Sequence, residues 1–195
     1  MIKWRKKEAK HMAIKISVKA AEGEYDLGAS KFLGTPTIPE EWLEDFSEDT
    51  MFFCQIRLSD IAELDNENRL PHKGYLYVFF DTEGGEYDLV PMVRYYDGEP
   101  DCAVDDFNDC VPDFEHLTRD FLMEFSLCDD GETCTRLFGE PDDYNYKDAP
   151  PKLLMQFDPL DTDIGFLSHL DGFVYLFFGE DERDFSKITI MQEYS

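Results

Sequence analysis

Positive charge is scarce over most of this chain. Its 195 residues contain 44 acidic and 18 basic side chains, giving a formal net charge of -26. Seven of the basic residues fall within residues 1–20 beside one acid, so residues 21–195 carry a net charge of -32. Binding to phosphate backbones or anionic lipid needs clustered Lys and Arg. The composition therefore argues against a nucleic-acid or membrane partner; it favours a basic protein partner, or solubility alone.

Long apolar runs and paired cysteine motifs are also missing. No stretch of about 18 apolar residues occurs, which predicts no transmembrane helix. The basic N-terminus has no apolar segment of the kind found in signal peptides. An odd, sparse cysteine set without CxxC favours reduced thiols over a disulfide framework. We therefore expect a cytoplasmic protein. The five cysteines are Cys54, Cys102, Cys110, Cys128 and Cys134.

Recognisable catalytic motifs are absent. The chain has no GxSxG, P-loop, HExxH or EF-hand sequence, so we predict no catalytic residues and no cofactor, and lean against an enzyme. The spacing of Cys102, Cys110, His116, Cys128 and Cys134 matches no common zinc module. Acid-rich residues 97–115 could hold calcium or magnesium, although a solvated acidic surface is the simpler interpretation. We predict no metal site.

What the chain does have is aromatic residues arranged in a repeat. With 43% hydrophobic residues, 17 Phe and 10 Tyr, it is too apolar for an acidic disordered segment. Residues 75–96 align without a gap on residues 173–194. Three shorter blocks upstream also match in the same order: AEGE with DDGE, SKFLGTP with TRLFGEP, and FFCQI with LLMQF. Ordered self-similarity of this kind indicates two tandem copies of one unit.

The repeated unit has strand character. YLYVFF is a continuous apolar run, typical of a strand buried on both faces, and KITIMQEY alternates. Pro91 predicts an edge or bulged position for LVPMVRYY, which an acidic hairpin loop joins to YLYVFF. A short helix beginning near Pro39 is expected to turn Trp42, Leu43 and Phe46 inward. The spacing of apolar residues predicts a second helix over 112–124.

These patterns predict a mainly β fold (β-rich α+β) in which two β-rich repeats pack as one pseudo-twofold domain with few short helices. Residues 1–20 would form a basic arm and residues 21–195 a single domain. We place repeat one at about 21–96, an acidic and helical connection at 97–125, and repeat two at 126–195.

The ordered blocks resemble those of the YwqG-like family, a bacterial family of unknown function. SKFLGTPTIPEEW, FFCQIRLSDIAELD and LPHKGYLYVFFD are similar to its first half. RLFGEPDDY, LLMQFDPLD and GFVYLFFGEDERDFSKITIMQEY are similar to its second half. The resemblance covers about residues 28–195 and implies a mainly β fold with few helices. It supplies no catalytic residues.

Four polar residues are the candidates for a ligand site at the junction of the repeats. Gln55 and Gln156 occupy matched positions within apolar strands, where a buried amide needs partners. His72 and His169 lie in loops before matched strands and could face each other across the pseudo-twofold axis. Structural hydrogen bonds are the alternative for the glutamines, and ordinary exposed loop residues for the histidines.

Two functions remain open from the sequence. The first is a non-enzymatic acidic module that binds a basic protein, with a bacterial immunity or antitoxin role as one concrete form. The second is a small-ligand binder or enzyme whose site lies between the repeats, where pockets commonly form. The oligomeric state cannot be deduced.

Overall fold

The chain folds around one large antiparallel sheet. The computed structural model describes residues 12–84, 89–109, 118–129, 132–142, 151–158 and 173–192. The prediction of a mainly β fold is confirmed, because twelve strands and a few short 3-10 helices make up the regular structure of the described residues. The strands are β1 (Met12–Ala20), β2 (Lys31–Phe32), β3 (Thr37–Ile38), β4 (Thr50–Arg57), β5 (Tyr75–Asp81), β6 (Val90–Tyr96), β7 (Cys102–Ala103), β8 (Phe121–Asp129), β9 (Arg136–Leu137), β10 (Leu153–Phe157), β11 (Val174–Phe177) and β12 (Thr189–Gln192). The 3-10 helices span Glu40–Asp45, Leu58–Asp60 and Phe185–Lys187.

The two halves of the large sheet have the same order of strands, counted inward from either edge. It runs β12-β11-β10-β9-β1-β8-β2-β4-β5-β6, so each half is a short strand followed by a three-stranded meander. Strands β1 and β8 form the central antiparallel pair. Each of them pairs outward with the other half: β1 with β9, and β8 with β2. The two halves therefore exchange their first strands.

The register of these strands gives the position of the pseudo-twofold axis. Ile14 lies opposite the second residue of β9, and Phe121 lies opposite the second residue of β2. Ile14 and Phe121 are thus equivalent. The axis that exchanges β1 and β8 crosses their ladder at the Ser17–Glu124 pair.

The central strands correct two sequence expectations. The predicted arm over 1–20 is wrong for its second part, because Met12–Ala20 forms β1 in the middle of the sheet. The predicted helix over 112–124, and with it the helical connection 97–125, is wrong at its C-terminal end, where β8 begins at Phe121. The cause is the same in both places: pairing along nine residues with a neighbouring strand outweighs local charge or helical spacing. Residues 1–11 and 110–117 lie outside the described residues.

Local predictions in the first half mostly hold. Strand β5 is buried on both faces, and β6, which contains Pro91, lies at the edge of the sheet. The short helix after Pro39 is a 3-10 helix, and Trp42 and Phe46 pack against the sheet. Leu43, expected to point inward, is exposed, because the tighter 3-10 turn directs it to solvent. The first part of the acidic connection predicted at 97–125 contains the short strand β7.

The largest apolar cluster fills the space inside the curved sheet. Its centre includes Phe32, Phe53 and Phe157, with the rings of Phe53 and Phe157 at 4.6 Å and those of Phe32 and Phe53 at 5.1 Å. These three side chains come from both halves of the chain. The region between the halves is therefore a packed aromatic core at this point, with edge-to-face rings that add to the stability from burial.

Aromatic rows cover the outer face of each half. Tyr75, Tyr77 and Phe79 stack along β5, and Phe173, Tyr175 and Phe177 follow the same pattern along β11. Residues two apart on a strand share a face, which explains the row. In the first half, a layer formed by residues 37–49 and 97–109 covers this row, and β3 pairs with β7 within it.

The sheet is nearly closed into a barrel. Between the two halves, the Arg69 guanidinium lies 4.5 Å from the Phe138 ring centroid and donates a hydrogen bond to the Leu153 carbonyl at 3.2 Å. It also forms an ion pair with Glu182, which Lys152 contacts as well. One loop residue of the first half thus connects to three elements of the second.

Among the described residues, the helices are too short and too polar to cross a lipid bilayer.

Candidate functional site

Gln55 and Gln156 form equivalent clamps in the two halves. Gln55 accepts a hydrogen bond from the Thr37 backbone amide at 2.9 Å and donates to the carbonyls of Leu27 and Ala29. The Tyr77 hydroxyl donates to the carbonyl of the same Thr37 at 2.7 Å. Each clamp therefore fixes one backbone position after the Gly-x-Pro turn from both its N–H and its C=O.

The second clamp repeats the first with an acid in place of Thr37. Gln156 accepts from the Asp142 backbone amide at 3.2 Å and donates to the Cys134 carbonyl at 3.0 Å and to the Asp142 carboxylate at 2.7 Å. The Tyr175 hydroxyl donates to the Asp142 carbonyl. Because a buried amide without partners costs about 1–3 kcal/mol, these bonds explain why Gln is tolerated inside two apolar strands.

A β-bulge in each half binds the turn that precedes the clamp. The register shifts between Phe52 and Cys54, and again between Leu153 and Met155. In each half, the carbonyl of the bulged residue accepts a hydrogen bond from the turn. The Leu33 amide donates to the Phe53 carbonyl at 2.8 Å, and the Phe138 amide donates to the Leu154 carbonyl at 3.1 Å. The Asn108 amide binds both backbone groups of Phe52. The extra residue in each strand thus anchors the loop that follows β2 or β9.

The turn itself needs a left-handed backbone at two successive residues. Leu33 and Gly34 have φ values of 56° and 68°, and the equivalent Phe138 and Gly139 have 65° and 86°. A Cβ on Gly34 would collide with the Asp120 carboxylate. Glycine is required there both for the backbone angle and for the approach of Asp120.

Each half buries one cation directly opposite its glutamine. Lys31 lies opposite Gln55 and Arg136 opposite Gln156 in the strand register, and both cationic side chains are 0% exposed. The Lys31 ammonium lies 2.8 Å from Asp120. Burial lowers the pKa of Lys31 despite this ion pair. Burial raises the pKa of nearby Tyr25, and the Asp120 carboxylate raises it further.

The terminal guanidinium nitrogens of Arg136 have a different set of partners. They donate to the carboxylate of Asp142 at 3.1 and 3.3 Å and to the carbonyls of Glu132 and Glu140. The planar fork of Arg suits this set of bonds around two loop segments. Arg136, Gln156, Tyr175 and Asp142 therefore form one buried polar network, which organises the loop after β9.

The three predicted site residues that the structure describes, Gln55, Gln156 and His72, are not brought together. Gln55 lies opposite Tyr77 and Gln156 opposite Tyr175, so both amides sit on the outer face, on strands whose inner faces contact through Phe53 and Phe157. His72 lies elsewhere, with its Nε2 3.4 Å from the buried carboxylate of Asp65. His169 lies outside the described residues. A ligand site built from these four residues stays a prediction.

Sequence reasoning missed the polar partners of the clamps. Asp120 and Asp142 bind the two buried cations, and Asn108 binds the bulge, yet none of the three belongs to a motif. The repeat alignment pairs Lys31 with Arg136 and so signals both cations. It could not signal the acids, because they come from different places in the two halves.

Exposed carboxylates gather on the layer that covers the first half. Pairing of β3 with β7 and the bond from the Glu40 amide to Asp101 at 2.9 Å hold two acidic segments side by side. Twelve acids on these segments are exposed. We name them the acidic cap: Glu40, Glu41, Glu44, Asp45, Glu48, Asp49, Asp97, Glu99, Asp101, Asp105, Asp106 and Asp109.

The described cations mostly do not neutralise this cap. Nine cationic side chains form ion pairs with acids, and two of these, Lys73 with Asp97 and Arg94 with Asp45, involve the cap. The Arg94 guanidinium also lies over the Trp42 and Phe46 rings, at 5.2 and 4.9 Å. A rigid aromatic layer therefore supports a surface with a large excess of negative charge.

Within the described ranges, no three His, Cys, Asp or Glu side chains converge in a way that could hold a metal ion.

Comparison with protein-family models and with curated proteins returns no match to this chain. The fold and the site thus define a near-closed antiparallel barrel with two equivalent buried polar clamps and one acidic cap.

Proposed function

We propose that this chain is a cytoplasmic, YwqG-like protein-binding module whose acidic cap engages a basic partner protein. The tandem duplication of one unit would account for its equivalent halves. An immunity or antitoxin role, in which the cap occupies a basic surface of a toxin, is the concrete form that fits best. The observation that supports this function is the gathering of twelve exposed carboxylates on one layer.

The physical basis is electrostatic complementarity. A cluster of like charges attracts a partner of opposite charge over roughly a Debye length, about 8 Å at physiological salt, and chiefly raises the association rate. The cap rests on packed rings, with Phe46 and Phe107 at 5.1 Å and Trp42 and Tyr96 at 5.7 Å. A rigid support lets the surface bind without losing much conformational entropy.

The test compares two variants with the same net charge. The cap variant replaces Glu41, Glu44, Glu48, Asp105 and Asp106 with the matching amides. The control variant replaces five exposed acids outside the cap: Glu22, Glu24, Glu63, Glu83 and Glu180. Each immobilised protein is incubated with lysate of the source organism at low salt, and the retained proteins are identified by mass spectrometry.

We expect wild type and control to retain the same basic protein, and the cap variant to lose it. The purified partner should then bind wild type with a 1:1 or other fixed stoichiometry, more weakly as salt increases. Equal retention by the cap variant, or retention by all three proteins of an unselective set of basic proteins, would refute the proposal.

A further inference from the structure

Two cysteines of the second half lie in direct contact. Cys128, near the end of β8, and Cys134, just before β9, form a small buried cluster with Ala13 of β1. The two thiols are close enough to influence each other's ionisation, and the Cys134 thiol donates a hydrogen bond to the Glu132 carbonyl at 3.5 Å. A tight turn, with the Glu132 amide 3.0 Å from the Asp129 carbonyl, brings the two together. Both residues are free thiols.

The first half shows what these positions require for folding. Cys128 follows Phe121 by seven residues, as Ala21 follows the equivalent Ile14. Cys134 precedes Arg136 by two residues, as Ala29 precedes Lys31. The clamps confirm the second equivalence, because Gln156 donates to the Cys134 carbonyl and Gln55 to the Ala29 carbonyl.

Both positions are therefore alanine in one half and cysteine in the other. A small apolar side chain is enough at both positions for the strand and the clamp of the first half, so neither element needs a sulfur atom. The loop between the two positions is two residues shorter in the second half, and both cysteines are buried. Their presence as a contacting pair points to chemistry between them.

The surroundings of the two thiols differ. Burial raises the pKa of Cys128 to about 11. Burial also raises the pKa of Cys134, but Arg136, the Cys128 thiol and Lys15 act against this increase. The neighbouring cations Arg136 and Lys15 favour the thiolate at Cys134, and the thiolate is the reactive form. We therefore assign the attack on an oxidant to Cys134 and the resolution of the product to Cys128.

We propose that Cys128 and Cys134 form a reversible disulfide when the protein meets a hydroperoxide. The Cys134 thiolate attacks one peroxide oxygen, the O–O bond breaks, and hydroxide (or alkoxide) leaves, which makes a sulfenic acid at Cys134. The Cys128 sulfur then attacks the Cys134 sulfur, and the S–OH oxygen leaves as water with the proton from Cys128. The two thiols lose two electrons, and the peroxide gains them.

The cross-link would fix the second clamp. It would join the end of β8 to the segment before β9, whose Cys134 carbonyl Gln156 already holds. Constraining this short loop reduces the entropy of the unfolded chain. Because a thiol of high pKa is a poor leaving group, attack by a reductant on the Cys134 sulfur, which expels the Cys128 thiolate, should be slow.

The test uses the full chain, reduced and then treated with hydrogen peroxide. Remaining thiols are blocked with N-ethylmaleimide under denaturing conditions, and peptides are mapped by mass spectrometry. We expect a peptide pair joined through Cys128 and Cys134 and lighter by two hydrogens. The Cys128→Ala variant should retain a sulfenic acid at Cys134 that dimedone traps, whereas Cys134→Ala should leave Cys128 unmodified.

A melting experiment gives an independent readout. Peroxide should raise the Tm of wild type, and dithiothreitol should restore the original value. The double variant Cys128→Ala/Cys134→Ala copies the alanine pair of the first half, so it should fold and show no peroxide-dependent change in Tm. Recovery of both thiols after peroxide, oxidation of Cys134 beyond sulfenic acid without a cross-link, or pairing of either residue with another cysteine would overturn the proposal.

Discussion

Lys31 and Arg136 occupy equivalent buried positions, each opposite a clamp glutamine, yet their acidic partners come from different elements. Asp120, which pairs with Lys31, lies immediately before β8, the first strand of the other half. Asp142, which pairs with Arg136, comes from the loop after its own short strand. Both halves therefore have a cation at this position. The acid that neutralises it comes from a different part of the fold in each half.

Removing one member of the Lys31–Asp120 pair should be far more costly than removing an exposed pair. Asp120→Asn leaves an ammonium ion that is 0% exposed without a counter-charge. We expect a loss of about 3–5 kcal/mol in the free energy of unfolding, measured by urea denaturation. The double variant Lys31→Met/Asp120→Asn should recover most of this loss.

The control for this prediction is the Lys19–Glu124 pair on the central strands. Both of its side chains are more than 60% exposed, so Glu124→Gln should change the free energy of unfolding by less than about 1 kcal/mol. Equal losses for Asp120→Asn and Glu124→Gln would contradict the assignment of Lys31–Asp120 as a buried, mutually dependent pair.

The same lysine should give the protein a distinct pH dependence. Burial lowers the pKa of Lys31 in the folded state below its ordinary value of 10.5. Between the lowered value and 10.5, the unfolded chain binds more protons than the folded chain, so this residue makes stability rise with pH. Below the lowered pKa the effect is constant.

The measurement compares wild type with Lys31→Met at a series of pH values from 7 to 10.5. Groups common to both proteins, including the buried Tyr77, cancel in the difference. The free energy of unfolding of wild type minus that of the variant should become more positive as the pH increases. A flat or falling difference would show that Lys31 remains charged in the folded protein throughout.

Much of the fold could be predicted from sequence, because the predictive patterns lie within single segments. The apolar run 75–80 and Pro91 identify a buried strand and its edge partner. The central strands were missed although their signal was present. Residues 12–20 alternate Ile14, Ile16 and Val18 with polar side chains, but seven basic residues within 1–20 pointed to an arm.

The polar partners of the site lie beyond local sequence patterns for a physical reason. Asp120 is 89 residues from Lys31, and Asn108 is 56 residues from the Phe52 bulge that it binds. A repeat alignment detects Gln55 and Gln156 because both halves need the same amide. It does not reveal that their amides face outward on opposite sides of a packed core, since the bulge before each glutamine shifts the alternation of inner and outer residues.

The clamps should make graded contributions to stability. Tyr77→Phe removes one hydrogen bond, from the hydroxyl to the Thr37 carbonyl, and should cost about 1 kcal/mol. Gln55→Met leaves the Thr37 amide and the Leu27 and Ala29 carbonyls without this partner, and should cost more, about 2–4 kcal/mol. Chemical denaturation measures both.

Hydrogen exchange in the Gln55 variant tests whether the Gln55 amide acts by holding the loop backbone. If the amide acts through the backbone of the loop, hydrogen exchange at the Thr37 amide should accelerate in Gln55→Met while the exchange of β12 amides stays unchanged. Unchanged exchange at Thr37, with a free energy of unfolding equal to that of wild type, would mean that the clamp is not a stabilising element.

The contact of Glu182 with Arg69 and Lys152 should make stability depend on acidic pH. Glu182 is partly buried; burial opposes its ionisation, but Lys152 and Arg69 together lower its pKa below the ordinary 4.5. A carboxyl with a lowered folded pKa adds stability above 4.5, and this stability is lost as the pH falls through the lowered value. Glu182→Gln should therefore reduce the free energy of unfolding at pH 7 by about 1–2 kcal/mol, and this loss should become smaller as the pH falls below 4.5. The matched control is Glu180→Gln, an exposed neighbour that should have no effect across the same pH series. A loss that stays constant until the protein unfolds in acid would mean that Glu182 contributes through packing and not through its charge at the Arg69 contact.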